Sequence, residues 1–209
     1  MNIGEAAARC LFCFPGDEMK VSSVEFVVSA HSPAQFPRGH LPEIAFSGRS
    51  NVGKSSLLNR LVGRKIAKTS GDPGKTRAIN FFLVNRKFHF VDLPGYGYAR
   101  VSKSTRDSWR RLMEQYIGNR ENLRTVVVLI DVRREEIPST DAQMIEYLES
   151  VGVPAIIVFT KADKLSRSQL SRRLKAQQRH IPAGLEIIPF SAVTGEGVRE
   201  LSKKLEEYL

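Results

Sequence analysis

Cysteine is almost missing from this chain. Cys10 and Cys13 are its only two in 209 residues, too few to staple a fold of this length, so nothing points to an oxidising compartment. Long apolar runs are missing as well. The longest, such as Val126–Ile130 and Ala155–Phe159, fall far short of the ~20 residues a membrane helix needs. The first eighteen residues lack a basic stretch and interrupt their apolar positions with Glu5, Arg9 and Asp17, which argues against a signal peptide. There is no repeat and no low-complexity tract, and 42% hydrophobic with 26% charged residues excludes collagen-like and disordered chains. The histidines, His31, His40, His89 and His180, are too dispersed to complete a zinc site with Cys10 and Cys13; His89, between Phe88 and Phe90, reads as a strand-face residue. A monomeric, cytoplasmic protein with one core and no membrane partner is expected.

Acid is the remaining shortage: 22 Asp and Glu stand against 32 Lys and Arg, a formal charge of +10. The excess is clustered. Arg49 to Lys87 holds ten bases and one acid, Asp72; Arg100 to Arg134 adds nine against four; Arg167 to Arg179 adds five against none. Such clusters attract polyanions, although the same pattern also suits a merely solvated surface.

What remains alternates between two periods. Apolar, strand-like runs lie at Val24–Val28, Glu43–Phe46, Ile79–Val84, Phe88–Asp92, Thr125–Asp131, Ala155–Thr160 and Glu186–Phe190. Helical patterns lie at Ser55–Val62, Ser104–Asn122, Ser139–Val151, Ser168–His180 and Val198–Leu209. In the second of these Trp109, Leu112, Met113, Tyr116 and Ile117 form one stripe, and Trp109 reads as core. Strands alternating with helices predict an α/β three-layer sandwich with a mostly parallel sheet of six or seven strands and helices on both faces. The exception is the pair Ile79–Val84 and Phe88–Asp92. Only Asn85, Arg86 and Lys87 join them, too few for a crossover, so one strand should be an antiparallel hairpin strand. Residues 1–21 read as an N-terminal extension and 22–209 as the domain. No separate effector domain is expected.

The chemistry concentrates where predicted strands end. Gly48-Arg49-Ser50-Asn51-Val52-Gly53-Lys54-Ser55 fits G-x-x-x-x-G-K-[ST] between a strand and a helix, so its backbone N–H groups should cradle phosphates. Lys54 should reach the β- and γ-phosphates and Ser55 should ligate Mg²⁺. Thr160-Lys161-Ala162-Asp163 follows a buried strand. A carboxylate at Asp163 can accept from both N1–H and the 2-amino group of guanine, whereas adenine offers neither donor and would leave it unpaired. The Lys161 stem can stack on the base. Asp92-Leu93-Pro94-Gly95 supplies a second Mg²⁺ ligand, Asp92, and a backbone sensor of the γ-phosphate at Gly95. The intervening Gly/Pro-rich segment carries Gly74, Lys75, Thr76, Arg77 and Ala78; Thr76 is the natural second hydroxyl for Mg²⁺ on a segment able to order around the γ-phosphate. Phe190, Ser191 and Ala192 can support guanine O6 through backbone N–H groups.

In their order along the chain, the five elements resemble those of translation-factor-class GTPases. GRSNVGKSSLLN, TSGDPGKTRAINFF, VDLPGYGYA and TKADKL resemble the EngB (YihA/YsxC) family of bacterial ribosome-biogenesis GTPases, related to Era and TrmE, over residues 22–209. The resemblance implies a G domain that binds GTP or GDP with Mg²⁺ and hydrolyses GTP slowly, with Lys54, Thr76 and Gly95 closest to the reaction. It also implies partners in the 50S subunit, its precursors and ribosomal RNA, and a role in division and septation. Two positions depart from the wider GTPase pattern. Thr160 stands where many GTPases have asparagine, which removes a side-chain amide that braces the phosphate loop. Tyr96 stands where many place a water-orienting glutamine, so intrinsic hydrolysis should be slow. Asn51 either helps bind K⁺ against the phosphates, as in potassium-stimulated relatives, or only hydrogen-bonds the loop. Tyr96, Tyr98, Arg100, Lys103 and Arg106 mix aromatics with bases, as an RNA-facing segment would. Two rivals stand beside this reading: a nucleotide-gated adaptor with negligible hydrolysis, and a P-loop ATPase or kinase.

Overall fold

A computed structural model describes residues 19–67, 78–96 and 103–209, with the backbone alone for 103–106. Residues 1–18, which include Cys10 and Cys13, residues 68–77, which include Gly74, Lys75, Thr76 and Arg77, and residues 97–102, which include Tyr98 and Arg100, lie outside the described residues.

Among the described residues are seven strands: β1 (Val24–Ala30), β2 (Glu43–Gly48), β3 (Ile79–Val84), β4 (Phe88–Asp92), β5 (Leu123–Asp131), β6 (Ala155–Thr160) and β7 (Glu186–Phe190). They form one sheet in the order β1-β3-β4-β2-β5-β6-β7. β3 runs antiparallel to both of its neighbours and the remaining pairs are parallel, so the expected single hairpin strand is β3. Its turn into β4 has two successive left-handed residues, Asn85 (φ 52°) and Arg86 (φ 56°), the twist that lets a short hairpin close. The helices are α1 (Lys54–Leu61), α2 (Lys103–Asn119), α3 (Ser139–Ser150), α4 (Arg167–Gln178) and α5 (Val198–Glu206).

Alternation along the strands sorts the core into two layers, as a period of two dictates. Val127 and Leu129 of β5, with Ile156 and Val158 of β6, face Leu57, Leu58 and Leu61 of α1 and Leu201 and Leu205 of α5. Val126, Val128, Ile130, Ile157 and Phe159 face Leu112, Tyr116 and Ile117 of α2 and Ile145 and Leu148 of α3. Trp109 is a correction: it is only half-buried, since an indole is rarely covered completely by one helix layer. Among the described residues no helix is long and apolar enough to cross a membrane.

Several element ends differ from the sequence expectation by one to three residues, and two of them for visible reasons. α2 stops at Asn119, not Asn122, because residues 120–122 turn into β5 and are tied to β2: Leu123 N–H donates to the Arg120 carbonyl at 3.0 Å and Glu43 N–H to the Asn122 carbonyl at 2.9 Å. α4 starts at Arg167 because Ser166 and Gln169 close a capping box. At the amino end of β2, Glu43 is 0% exposed. It accepts from the Tyr116 hydroxyl at 2.9 Å and from both Nε and Nη2 of Arg120, anchoring α2 to the sheet at the end away from the strand tips that carry the motifs. His89 lies on β4 beside this network, 6% exposed. Burial, opposed by Glu43, keeps its imidazole below the usual pKa.

Candidate nucleotide site

Gly48, Asp92, Asp131, Thr160 and Phe190 are the last residues of β2, β4, β5, β6 and β7. Parallel pairing in register, Asp131 with Thr160 and Thr160 with Phe190, brings motifs distant in sequence to one carboxyl edge, where an open α/β sheet binds ligands.

The loop from Gly48 to Ser55 turns tightly out of β2 into α1. Gly48 has to be glycine for packing: a Cβ there would lie 2.9 Å from the Leu129 carbonyl oxygen. Gly53 adopts φ 111° and Asn51 φ 63°, left-handed geometry that glycine and asparagine tolerate best. The N–H groups of Asn51 and Gly53 find no acceptor among the described residues, and α1 begins at Lys54 with its own free N–H groups. This is an anion cradle at a helix N-terminus. The Lys54 ammonium, 9% exposed, is paired with the Asp92 carboxylate. A triphosphate therefore has to compete with Asp92 for it. Ser55 follows Lys54 in the first turn of α1. Arg49 and Ser50 are half-buried and Val52 is buried. Leu93 and Pro94 are buried and carry the chain from Asp92 to Gly95, while Ala78 is buried just before β3.

The side expected to read the base is assembled from two loops, one after β6 and one after β7. Asp163 lies in a short 3-10 turn, Ala162–Lys164, after β6, with its side chain 11% exposed. The Ser191 hydroxyl donates to its Oδ1 at 2.7 Å. That hydrogen bond, aided by Lys164 and opposed by burial, holds the Asp163 carboxyl below its ordinary pKa. Ser191 is itself fixed, accepting from Val193 and Thr194 N–H at 3.2 and 3.1 Å. Of the backbone donors expected for guanine O6, the Ser191 N–H instead meets the Glu196 carbonyl at 3.0 Å. The Ala192 N–H makes no bond among the described residues, and Phe190 pairs with Thr160 in the sheet. The expected support from several N–H groups narrows to Ala192.

Two contacts join the halves, and neither was legible in the sequence. Thr160 Oγ1 donates to the Val52 carbonyl at 2.7 Å. The expectation of a lost brace is thus corrected, because a hydroxyl on the last residue of β6 lies close enough to the loop to do the work of the missing amide. The Lys161 ammonium donates to the Asn51 carbonyl and to Asp131 Oδ2, both at 2.8 Å, so its head clamps the phosphate loop. Burial pushes the Asp131 carboxyl up, but hydrogen bonds from Arg133 and Lys161 outweigh it and hold the group well below the usual carboxylate range.

Tyr96 requires another correction. Its hydroxyl is sealed from solvent and so is not offered to an RNA partner. Side chains of Lys103 and Arg106 lie outside the described residues. His31, His40 and His180 are exposed, and no cluster of three metal-binding side chains occurs among the described residues. The donors expected for Mg²⁺ are the Ser55 hydroxyl and the Asp92 carboxylate, hard oxygens. Mg²⁺ favours such a set when phosphates and water complete its shell.

A phosphate cradle, a lysine at its end and a carboxylate held at the same sheet edge, on this sheet order, define a P-loop GTPase domain. A model of the 50S ribosome-binding GTPase family matches residues 43–161. A probable GTP-binding protein EngB of Pelotomaculum thermopropionicum is 52% identical over 88% of this chain and 93% of its own length. Its counterpart in Bacillus subtilis is 48% identical over 87% and 94%. The chain belongs to the EngB family of GTP-binding proteins. Among solved structures, a probable GTP-binding protein EngB superposes with TM-score 0.66 at 27% identity, covering 79% of this chain and 97% of the other. Era of Aquifex aeolicus, with GDP and aluminium fluoride, gives 0.67 at 26%, covering 82% and 57%.

Proposed function

We propose that this protein is a cytoplasmic guanine-nucleotide switch that hydrolyses GTP slowly with Mg²⁺ and whose GTP form docks on ribosomal RNA of the assembling 50S subunit, with consequences for division and septation. The carrying observation is the Asp163 carboxylate, held by Ser191 at the sheet edge and tied through Lys161 to the loop that bears Lys54. The family model is described as that of 50S ribosome-binding GTPases. That description agrees with the basic surface, above all α4, where Arg167, Arg172 and Lys175 are exposed and no acid interrupts them. Phosphate contacts dominate affinity for nucleic acid. Ser55, Asp92 and Thr76 would hold Mg²⁺, which when bound offsets the negative charge of the β- and γ-phosphate oxygens. Asn51, exposed on the rim of the cradle, is the position from which K⁺ would bind.

Sedimentation with ribosomal subunits tests the whole reading. The protein should travel with 50S particles in a GTP analogue and be released in GDP, and Lys54→Ala should abolish both nucleotide binding and co-sedimentation. Equal co-sedimentation in both nucleotides would refute the switch. A second reading, an adaptor with negligible hydrolysis, is favoured by a phenol rather than an amide at position 96. Single-turnover hydrolysis with and without ribosomes and K⁺ separates the two.

A further inference from the structure

Three polar groups meet behind the phosphate loop without satisfying one another. Ser47, one residue from the end of β2, is 0% exposed, and Asp141, in the first turn of α3, is 1% exposed. Ser47 Oγ, the Tyr96 hydroxyl and Asp141 Oδ1 are all sealed from solvent, and none closes a hydrogen bond of ordinary geometry. They are nevertheless within hydrogen-bonding range, the Tyr96 hydroxyl of both Asp141 and Ser47. Burial, then the Asp141 carboxylate, pushes the Tyr96 phenol well above its usual pKa. Burial raises Asp141 to about 6, opposed by Tyr96, Arg49 and Arg134. Buried polar groups in a settled structure are almost always paired, so a phenol that lies within hydrogen-bonding range of a carboxylate and a serine, in a geometry that closes neither bond, can still tighten on them.

The backbone shows what holds it short. The Tyr96 carbonyl accepts from Ser50 N–H at 3.1 Å, and the Tyr96 N–H donates to the Gly48 carbonyl at 3.4 Å. Gly95 lies so close that a Cβ there would be 3.3 Å from Ser50 N, while the Gly95 N–H has no acceptor among the described residues. Tyr96 is thus bound through its peptide to the loop that has to receive phosphate. A γ-phosphate competes for the Ser50 N–H and repels the carbonyl oxygen that now occupies it.

We propose that Ser47 and Asp141 form the receptor for the Tyr96 hydroxyl in the triphosphate-bound protein, and that this contact gives the site its preference for GTP over GDP. Once the γ-phosphate takes the Ser50 N–H, the Tyr96 peptide leaves the loop and the phenol seats fully, donating to Asp141. The Gly95 N–H is then held toward the phosphate. GDP leaves the Ser50–Tyr96 contact in place and draws nothing from the socket. Ser47 and Asp141 touch no nucleotide in this scheme and are positioning residues. The proposal rests on the guanine-nucleotide reading of the site.

The test is the ratio of dissociation constants for GMPPNP and GDP, measured on the full chain by fluorescence titration with Mg²⁺ near neutral pH. Tyr96→Phe and Asp141→Ala should each weaken GMPPNP about tenfold, the worth of one charge-assisted hydrogen bond, and change GDP less than about twofold. The double variant should be no worse than either single one. Asp141→Asn, whose Oδ1 still accepts, should recover to within about threefold of the parent. Equal losses for both nucleotides, additive losses in the double variant, or unchanged GMPPNP binding would overturn the inference. If Asp141→Ala does not fold, judged by melting of the nucleotide-free protein, Tyr96→Phe paired with Ser47→Ala carries the same ratio. A parent protein that binds no guanine nucleotide refutes the functional reading as well; normal binding with a flat ratio refutes only this inference.

Discussion

Replacing Thr160 by valine removes one hydroxyl from the centre of the site while nearly keeping the shape of the side chain. That hydroxyl has one proton and two carbonyls within reach, Val52 at 2.7 Å and Ile130 at 3.2 Å, and the shorter contact takes it. Val52 is 4% exposed, so in the variant its carbonyl is left buried without this donor, at a cost of about 1–3 kcal/mol. In the free protein the loop can tilt and hydrate that carbonyl, recovering part of the loss. Bound nucleotide fixes Gly53 and Lys54, next in sequence, and forbids the tilt. The affinity for GDP should therefore fall about five- to tenfold, equivalent to roughly 1–1.4 kcal/mol, while the melting temperature of the free protein drops by ~2–4 °C per kcal/mol lost. Thr160→Ser keeps the donor and should stay within about twofold of the parent. Isothermal titration calorimetry with GDP measures the first quantity and differential scanning calorimetry the second. Should Thr160→Val melt lower yet bind GDP as tightly as the parent, the hydroxyl supports the fold alone, and its role as a brace for the phosphate loop is wrong.

Other consequences follow from the same contacts. Asp163→Ala should weaken GTP by at least ~100-fold, because two hydrogen bonds to one charged group are lost, and ATP should fail to displace labelled GTP from the parent; comparable competition by ATP would remove the guanine assignment. Arg120→Ala leaves the fully buried Glu43 carboxylate without its bidentate partner and should destabilise the fold by ~3–5 kcal/mol in urea unfolding, with GDP affinity of the folded fraction unchanged. The folded pKa of Asp141, about 6, exceeds its ordinary 3.8, so the folded chain holds this proton more tightly than the unfolded one. The resulting stabilisation is full below the ordinary value and is lost as pH rises through the window up to about 6. Asp141→Asn, which cannot titrate, should lack that decline, and matching pH profiles for parent and variant would show that the carboxyl is not perturbed.

The contrast between what was legible in the chain and what was not follows the range of the interactions involved. β3, β4, β6 and β7 have the bounds expected from alternation and apolar runs, because a strand buried on one or both faces records its environment residue by residue. The cradle was equally legible, since Gly48 to Ser55 carries its whole geometry within eight consecutive positions. The expectation of guanine reading at Asp163 came from chemistry alone. The Ser191 hydroxyl that orients it lies 28 residues downstream, and only the pairing of β6 with β7 brings the two together. Lys161 could be placed beside the base, but its ammonium reaches Asn51 across 110 residues, a contact that exists only because β2 and β6 flank β5.

Tyr96 shows the same limit most sharply. Its immediate neighbours, a glycine before it and aromatics and bases after it, describe an exposed recognition loop. The hydroxyl is buried all the same, because α3 places Asp141 over the end of β2, and no pattern in residues 92–100 encodes where α3 lies. Corrections therefore fall where a side chain's role is decided by an element far away in sequence: Thr160 bracing Val52, Tyr96 facing Asp141, Ser191 donating to Asp163. All three tie a loop at the carboxyl edge of the sheet to a residue far away in sequence. For that reason the nucleotide state is expected to act on this protein through these contacts before it acts on any surface the partner touches.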